Sequence, residues 1–173
     1  MACEALCIYG ESGTGKTTSL RNMNPESTFI ISTTGKPLSF KGWKKKYIPF
    51  KIDKETKKIS GNYYVSSNSE QMRDDCTMCF LTHADNVGTD IDPKYVIKTI
   101  GKLLSEKVTL EGLFTYIFFT KVEEGDDGKM QYRLVTNNDG KCLAKTPMGM
   151  FEELEIDNDL NEILKVIKEY NED

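Results

Sequence analysis

The chain has 173 residues, of which 38% are hydrophobic and 29% charged, and its formal net charge is −4. This composition excludes a wholly disordered protein, and the length predicts one domain, since domains average about 150 residues. No apolar run approaches the roughly 20 residues that cross a bilayer, and residues 1–10 lack the basic start of a signal peptide. We therefore expect a cytoplasmic protein without membrane contact.

Six apolar stretches bounded by turn-forming residues have the composition of strands. They cover residues 5–9, 28–32, 63–66, 77–81, 113–121 and 130–136. Three other stretches predict helices, and they cover residues 16–23, a segment starting at Asp92-Pro93, and residues 158–170. The last two strands flank a turn-rich sequence and predict a hairpin, so the C-terminal part should be a hairpin followed by a helix.

The five cysteines are an odd number, which favours a reducing compartment over a disulfide framework. They are Cys3, Cys7, Cys76, Cys79 and Cys142. The spacing of Cys76 and Cys79 is typical of a metal-binding pair, but residues three apart on a strand point to opposite faces. We expect all five thiols to be reduced and no metal to be shared.

Charge is distributed unevenly along the chain. Residues 36–58, the basic segment, hold nine lysines against two acids, a net charge of +7. Residues 151–173, the acidic segment, hold two lysines against nine acids, a net charge of −7. Prolines and glycines interrupt the basic segment, so it should be a loop with at most short extended pieces, whereas the acidic segment should carry the C-terminal helix.

The strongest motif is residues 10–17, Gly-Glu-Ser-Gly-Thr-Gly-Lys-Thr, between a predicted strand and a predicted helix. It matches the phosphate-binding P-loop pattern G-x-x-x-x-G-K-[ST]. In that pattern backbone N–H groups surround the phosphates, Lys16 reaches the β and γ phosphates, and the Thr17 hydroxyl ligates Mg²⁺. The predicted ligands of ATP and Mg²⁺ are Gly10, Glu11, Ser12, Gly13, Thr14, Gly15, Lys16, Thr17 and Thr18.

Hydrolysis requires more than a P-loop, namely an acidic residue near Mg²⁺ and a group that orients water. No predicted apolar strand ends in Asp or Asp-Glu, the usual source of that acid. Asp85, after the strand over residues 77–81, is the nearest substitute, together with Asp74 and Asp75. The P-loop and this search for an acid give Lys16 and Asp85 as candidate catalytic residues.

Five stretches of the chain carry a resemblance to a known family: residues 10–20, 36–44, 80–83, 98–112 and 144–151. Together they resemble phage-encoded P-loop ATP-binding proteins with a RecA-like or AAA-type core, related to phage single-strand annealing and recombination ATPases. The resemblance implies an α/β fold, a RecA-like P-loop NTPase core with a mostly parallel sheet, reduced in size. It also implies that the strand ending at Thr82-His83 lies next to the P-loop strand.

The same resemblance implies a setting and partners. The setting is DNA recombination in the cytoplasm of an infected bacterial host, with phage recombination or replication proteins and further copies of the chain as partners. By this resemblance Thr82 or His83 corresponds to a sensor of the γ-phosphate, which adds His83 to the candidate catalytic residues. Lys94, Lys98, Lys102 and Lys107 lie where relatives contact DNA.

One departure from the family affects turnover. Relatives carry several tens of additional residues before the strand over residues 77–81, including the strand that ends in the paired Mg²⁺-binding acids, the Walker B element. Here residues 68–74 make a direct connection. The resemblance therefore supports nucleotide binding more than hydrolysis.

The basic segment interleaves lysines with aromatic residues, the composition that holds single-stranded nucleic acid without sequence preference. The candidate contacts are Lys41, Trp43, Lys44, Lys45 and Lys46. Two alternatives remain open: an exposed basic loop whose aromatic residues pack on the core, and stacking of Trp43 on adenine.

The sequence thus predicts an ATP-binding P-loop protein of phage DNA metabolism with weak or DNA-dependent hydrolysis. A non-catalytic nucleotide- or DNA-binding accessory module is the alternative. A small-molecule phosphotransferase is less favoured, because the three arginines, Arg21, Arg73 and Arg133, are scattered instead of forming a lid.

Overall fold

A computed structural model describes residues 5–65, 77–98 and 110–172 of the chain. The strands in these residues are, in chain order, β1 (Ala5–Gly10), β2 (Ile30–Ser32), β3 (Lys51–Ile52), β4 (Ile59–Ser60), β5 (Tyr63–Val65), β6 (Met78–Asn86), β7 (Tyr95–Ile97), β8 (Tyr116–Glu124), β9 (Met130–Val135) and β10 (Glu155–Asp157).

Helical structure within the described residues is sparse. It comprises two 3₁₀ turns, Thr17–Asn22 and Leu110–Leu113, the one-turn helix Trp43–Lys46 and the C-terminal helix Leu160–Glu172. Across the described ranges, every helix is too short or too polar to reach through a lipid bilayer.

The main sheet has six strands in the order β10-β9-β8-β1-β6-β7. Only its centre is parallel, since β1 pairs in parallel with β6 on one side and β8 on the other. The expected neighbour relation between the P-loop strand and the strand carrying Thr82 and His83 is thereby confirmed.

The prediction of a RecA-like, mostly parallel sheet is wrong. Three of the five neighbouring pairs, β6–β7, β8–β9 and β9–β10, are antiparallel, and the fold is a small mixed α/β one. The reason lies in the connections. A parallel pair needs a crossover of a dozen or more residues, whereas short turns join β6 to β7 and β8 to β9.

The prediction of a helix beginning at Asp92-Pro93 is also wrong for the residues that the structure describes, which end at residue 98 in this region. Tyr95–Ile97 is strand β7, paired with residues 84–86 of β6. The Asn86 side-chain oxygen accepts hydrogen bonds from the backbone N–H groups of Gly88 and Lys94 and so closes the turn. The remaining predicted helical positions, Ile100, Leu103 and Leu104, lie outside the described residues.

The core lies on both faces of the parallel centre, as the apolar run of residues 5–9 predicts. On one face Leu6, Ile8 and Phe118 pack against the C-terminal helix, and on the other Cys7 and Ile117 belong to a second cluster. All five are completely buried. The helix contributes its predicted apolar stripe, of which Leu160, Ile163 and Ile167 are buried.

Several other predictions hold. The predicted hairpin is confirmed as β8 and β9. The basic segment is mostly loop, with the one-turn helix Trp43–Lys46 and the short strand β3. The thiols of Cys7, Cys79 and Cys142 are free, while Cys3 and Cys76 lie outside the described residues. The acidic segment, however, contains a strand, β10, that the sequence did not reveal, and its helix starts only at Leu160.

Candidate functional site

The P-loop begins where the central strand of the sheet ends. Gly10, the last residue of β1, lies level with His83 of β6 and Thr120 of β8. β1 ends at this level, whereas β6 continues to Asn86 and β8 to Glu124. Parallel sheets bind ligands beyond the carboxyl ends of their strands, and the motif follows such an end.

Close packing explains the first glycine of the motif. A Cβ atom at Gly10 would lie 2.0 Å from Thr120 Oγ1 and 2.9 Å from Thr14 Oγ1. These two threonine hydroxyls share a hydrogen bond, and Thr14 also donates to the Glu11 carbonyl oxygen at 2.8 Å. The loop is thus fixed against the middle of β8 by a residue, Thr120, that is fully buried.

Lys16 folds back over the loop. Its ammonium donates hydrogen bonds to the carbonyl oxygens of Gly10, at 2.9 Å, and of Glu11, at 2.6 Å. Burial lowers the pKa of Lys16, against the opposing effect of the Glu11 carboxylate. A partly desolvated cation held by carbonyl oxygens is a favourable partner for an incoming anion, because charge–charge hydrogen bonds are the stronger kind.

Three hydroxyls meet beside Lys16. Ser39 of the basic segment shares hydrogen bonds with Thr17 and with Thr18, the latter at 3.2 Å. Hydroxyl oxygens suit Mg²⁺, which binds through few protein ligands and retains phosphate oxygens and water. In the described residues no group of three or more His, Cys, Asp or Glu side chains is arranged to hold a metal. The oxygen atoms that this place offers to a metal are the hydroxyls of Thr17, Thr18 and Ser39.

His83 stands within β6 and not after its end, because the strand continues to Asn86. Its imidazole is exposed at the level of Gly10. The charge of Lys16 lowers the pKa of His83, with smaller contributions from burial and from the charges of Lys36 and Lys98. The positive charges around the imidazole, that of Lys16 first, therefore disfavour its protonated form.

Asp85 is placed differently from the expected Mg²⁺ partner. Its carboxylate accepts a hydrogen bond from Lys98 at 2.7 Å, and its backbone lies opposite Val96 of β7. The structure thus uses Asp85 to join two strands, and brings it into no described contact with the P-loop. Asp74 and Asp75 lie outside the described residues.

The nucleic-acid candidates cluster on the one-turn helix Trp43–Lys46 and just before it. Lys41, Lys44 and Lys45 are exposed, whereas the Lys46 ammonium donates to the Arg21 carbonyl oxygen at 2.9 Å. Trp43 is half-buried, with its ring centroid 5.5 Å from that of Tyr63. The lysines face solvent, but the tryptophan already packs within the protein.

Comparison with protein-family models, curated proteins and solved structures finds no match for this chain. The functional argument therefore depends on the residues and their geometry. Sequence analysis missed Ser39 and Thr120 as parts of the site. Thr120 lies near the end of the predicted strand over residues 113–121 and could have been noticed, but Ser39 has no local signal.

His83 offers a direct test of this geometry because it is the only histidine. We expect its pKa, measured by NMR titration of the imidazole, to lie below the ordinary value of about 6.5. Lys16→Ala should raise it, because the Lys16 charge is the largest cause of the lowering. Lys98→Ala is the control and should raise it less. An unchanged pKa in Lys16→Ala would show that the two groups are not neighbours.

Proposed function

We propose that the chain binds a nucleoside triphosphate with Mg²⁺ through residues 10–18. The observation that carries the proposal is the position of Lys16, whose ammonium lies over the loop at the carboxyl end of the central parallel strand. Incoming phosphate oxygens replace the Gly10 and Glu11 carbonyls as its partners. The Thr17 hydroxyl holds the metal, which neutralises phosphate charge when bound.

We expect hydrolysis to be slow. P-loop hydrolases rely on an acid at the metal, and the substitute offered by the sequence, Asp85, is paired with Lys98. This favours binding over turnover. A phosphotransferase is less well supported, because Arg21 and Arg133 are engaged with Asp159 and Asp157 and Arg73 lies outside the described residues.

Single-stranded nucleic acid is the second proposed ligand, supported by the exposed lysines of the basic segment. A role in phage DNA recombination within an infected host, with recombination or replication proteins or further copies of the chain, follows from the resemblance and is part of the proposal. Of the further lysines implied by the resemblance, Lys98 binds Asp85 and Lys94 contacts Asp92, while Lys102 and Lys107 lie outside the described residues.

The experiment is equilibrium binding of Mg-ATP by calorimetry. Lys16→Ala should weaken binding about 100-fold, since it removes charge-assisted hydrogen bonds to phosphate that contribute about 1.5–3 kcal/mol each. Lys41→Ala, an equal change of charge at an exposed site, should leave affinity unchanged. Equal ATP affinity in the native chain and Lys16→Ala would refute the proposal.

ATP turnover is measured in the same samples, with and without single-stranded DNA. It distinguishes an active ATPase from a non-catalytic accessory module. DNA-stimulated turnover that Lys16→Ala abolishes identifies a motor-type ATPase. Nucleotide binding without turnover identifies an accessory module.

A further inference from the structure

The last part of the basic segment belongs to a β-ribbon that is separate from the other sheets. Within the described residues, β3 and β4 form a two-stranded sheet of their own, with Lys51 opposite Ser60 and Ile52 opposite Ile59. Every residue from 51 to 60 is exposed. We call residues 51–60 the ribbon arm.

The base of the ribbon arm is anchored to the rest of the fold. The Phe50 backbone N–H donates a hydrogen bond to the Tyr63 carbonyl oxygen at 2.7 Å. Gly61 has a φ of +82° and packs so tightly that a Cβ atom there would collide with the Pro49 carbonyl oxygen. Because an isolated two-stranded ribbon is only marginally stable in water, this anchored base holds the ribbon arm in place.

The two faces of the ribbon arm differ in chemistry. Side chains alternate between the faces of a strand, so Ile52 and Ile59, which lie opposite each other, share one face. The same alternation places Lys51 and Lys58 on the other face. The two isoleucines are 56% and 63% exposed. The ribbon arm therefore presents an aliphatic pair and a set of cations to solvent together.

The turn of the ribbon arm holds a lysine in a conformation that favours glycine. Lys57 has a φ of +56°, and no other non-glycine residue in the described part of the chain has a positive φ. This left-handed conformation is unfavourable for a residue with a Cβ atom. Such strain concentrates at functional sites. A glycine would be less strained here, but it would remove a cation from the tip.

The composition of the ribbon arm indicates its ligand. It contains four lysines and two acids but no aromatic residue. Lysines bind the phosphates of nucleic acids, whereas single strands are held largely by stacking on aromatic rings. The major groove of duplex DNA, about 12 Å wide, admits a two-stranded ribbon, and apolar side chains there contact the methyl group of thymine. Side chains cannot read the deep, narrow major groove of duplex RNA.

We propose that the ribbon arm binds double-stranded DNA in the major groove. Ile52 and Ile59 contact thymine methyl groups at the floor of the groove, and the long side chains of the four lysines reach the phosphates on its two sides. This ligand is additional to the single strand proposed for Lys41 and for the helix Trp43–Lys46. It does not depend on the binding of nucleotide to the P-loop.

The first test measures the contribution of the lysines. Fluorescence anisotropy is recorded with a labelled DNA duplex and with one of its strands alone, across a salt series. Replacing all four lysines by glutamine should weaken duplex binding at least about thirtyfold in low salt and lower the log–log salt slope by up to about 3.6, at about 0.9 per lost phosphate contact. Binding of the single strand should weaken much less. The residues replaced are Lys51, Lys54, Lys57 and Lys58.

A matched variant has the same loss of charge elsewhere on the surface. Four other exposed lysines are replaced by glutamine, and duplex affinity should change only slightly. They are Lys129, Lys141, Lys165 and Lys168.

The second test measures the contribution of the isoleucines without changing charge. Ile52→Thr/Ile59→Thr keeps β-branched residues suited to strands and should weaken duplex binding about tenfold, by loss of apolar contact. Deoxyuridine in place of thymidine removes the methyl groups. It should weaken binding of the duplex to the native chain and have little further effect on this variant. Val87→Thr/Ile91→Thr, at another exposed apolar pair, is the control and should bind as the native chain does.

Several results would overturn the proposal. They are the absence of duplex binding by the native chain, equal duplex affinity in the native chain and the four-lysine variant, equal losses for duplex and single strand, and equal affinity for the thymidine and deoxyuridine duplexes. Self-association that Ile52→Thr/Ile59→Thr abolishes, with duplex binding unchanged, would show that the ribbon arm joins copies of the chain instead. Binding of Mg-ATP is measured separately with Lys16→Ala, so a failure of either proposal is distinguishable from a failure of the other.

Discussion

Replacing Lys44, Lys45 and Lys46 together by glutamate should weaken binding to single-stranded DNA by about a thousandfold or more in low salt. The change reverses three charges on one helical turn, where Lys44 and Lys45 are exposed. Each lost phosphate contact lowers the salt dependence of binding, by about 0.7 in the log–log slope for single strands. The slope should therefore fall by about 2. Fluorescence anisotropy of a labelled oligonucleotide across a salt series measures both effects.

A variant with the same change of net charge elsewhere provides the control. Lys129, Lys165 and Lys168 are exposed and distant in sequence from the basic segment, and their replacement by glutamate should reduce affinity only slightly. Equal losses in the two variants would indicate that overall charge, and no particular surface, governs binding. Unchanged affinity in the first variant would exclude the basic segment as the nucleic-acid contact.

Gly10→Ala should destabilise the protein by about 1–3 kcal/mol, the usual cost of overpacking. The new methyl group meets the Thr120 hydroxyl, and also the Thr120 carbonyl oxygen at 3.0 Å, which belongs to buried backbone and cannot move aside. For a chain of this size the loss corresponds to a fall in melting temperature of roughly 3–10 °C. Thermal and urea unfolding measure it.

Three further variants test whether contact with Thr120 causes the loss of stability. Gly112→Ala meets no atom within 4 Å and should leave the melting temperature almost unchanged. Thr120→Ala removes the hydroxyl, so the double variant Gly10→Ala/Thr120→Ala should lose less than the sum of the single losses, as contacting residues do. Additive losses would show that the two residues are not in contact.

Sequence analysis was most accurate for features that depend on residues close together in the chain. Residues 10–17 carry their own spacing, and the apolar run before them is a buried strand, so the location of the P-loop at a strand end follows from adjacent residues. The stripe in the C-terminal helix is likewise visible from Leu160, Ile163 and Ile167 alone.

The predictions from sequence failed where contacts between distant parts of the chain determine the local structure. Val96 and Ile97 occur at helical spacing after Asp92-Pro93, but they pair with β6 through a turn closed by Asn86. Glu155–Asp157 gains its strand conformation only from β9. The Ser39 hydroxyl hydrogen-bonds to that of Thr17, which is 22 positions away in the sequence. No local sequence pattern predicts this contact. The assumption of a parallel sheet came from the resemblance, whereas the connections from β6 to β7 and from β8 to β9 are too short for parallel pairing.

The edge strand β10 affects whether the sheets of two copies of this protein can pair edge to edge. It is three residues long and has Glu155 and Asp157 at its ends, engaged by Lys121 and Arg133 of its own chain. Short, charged outer strands discourage pairing between sheets of different molecules. A second molecule aligned there would have to separate these ion pairs to gain very few backbone hydrogen bonds. Aggregation through this edge is therefore disfavoured even at high protein concentration.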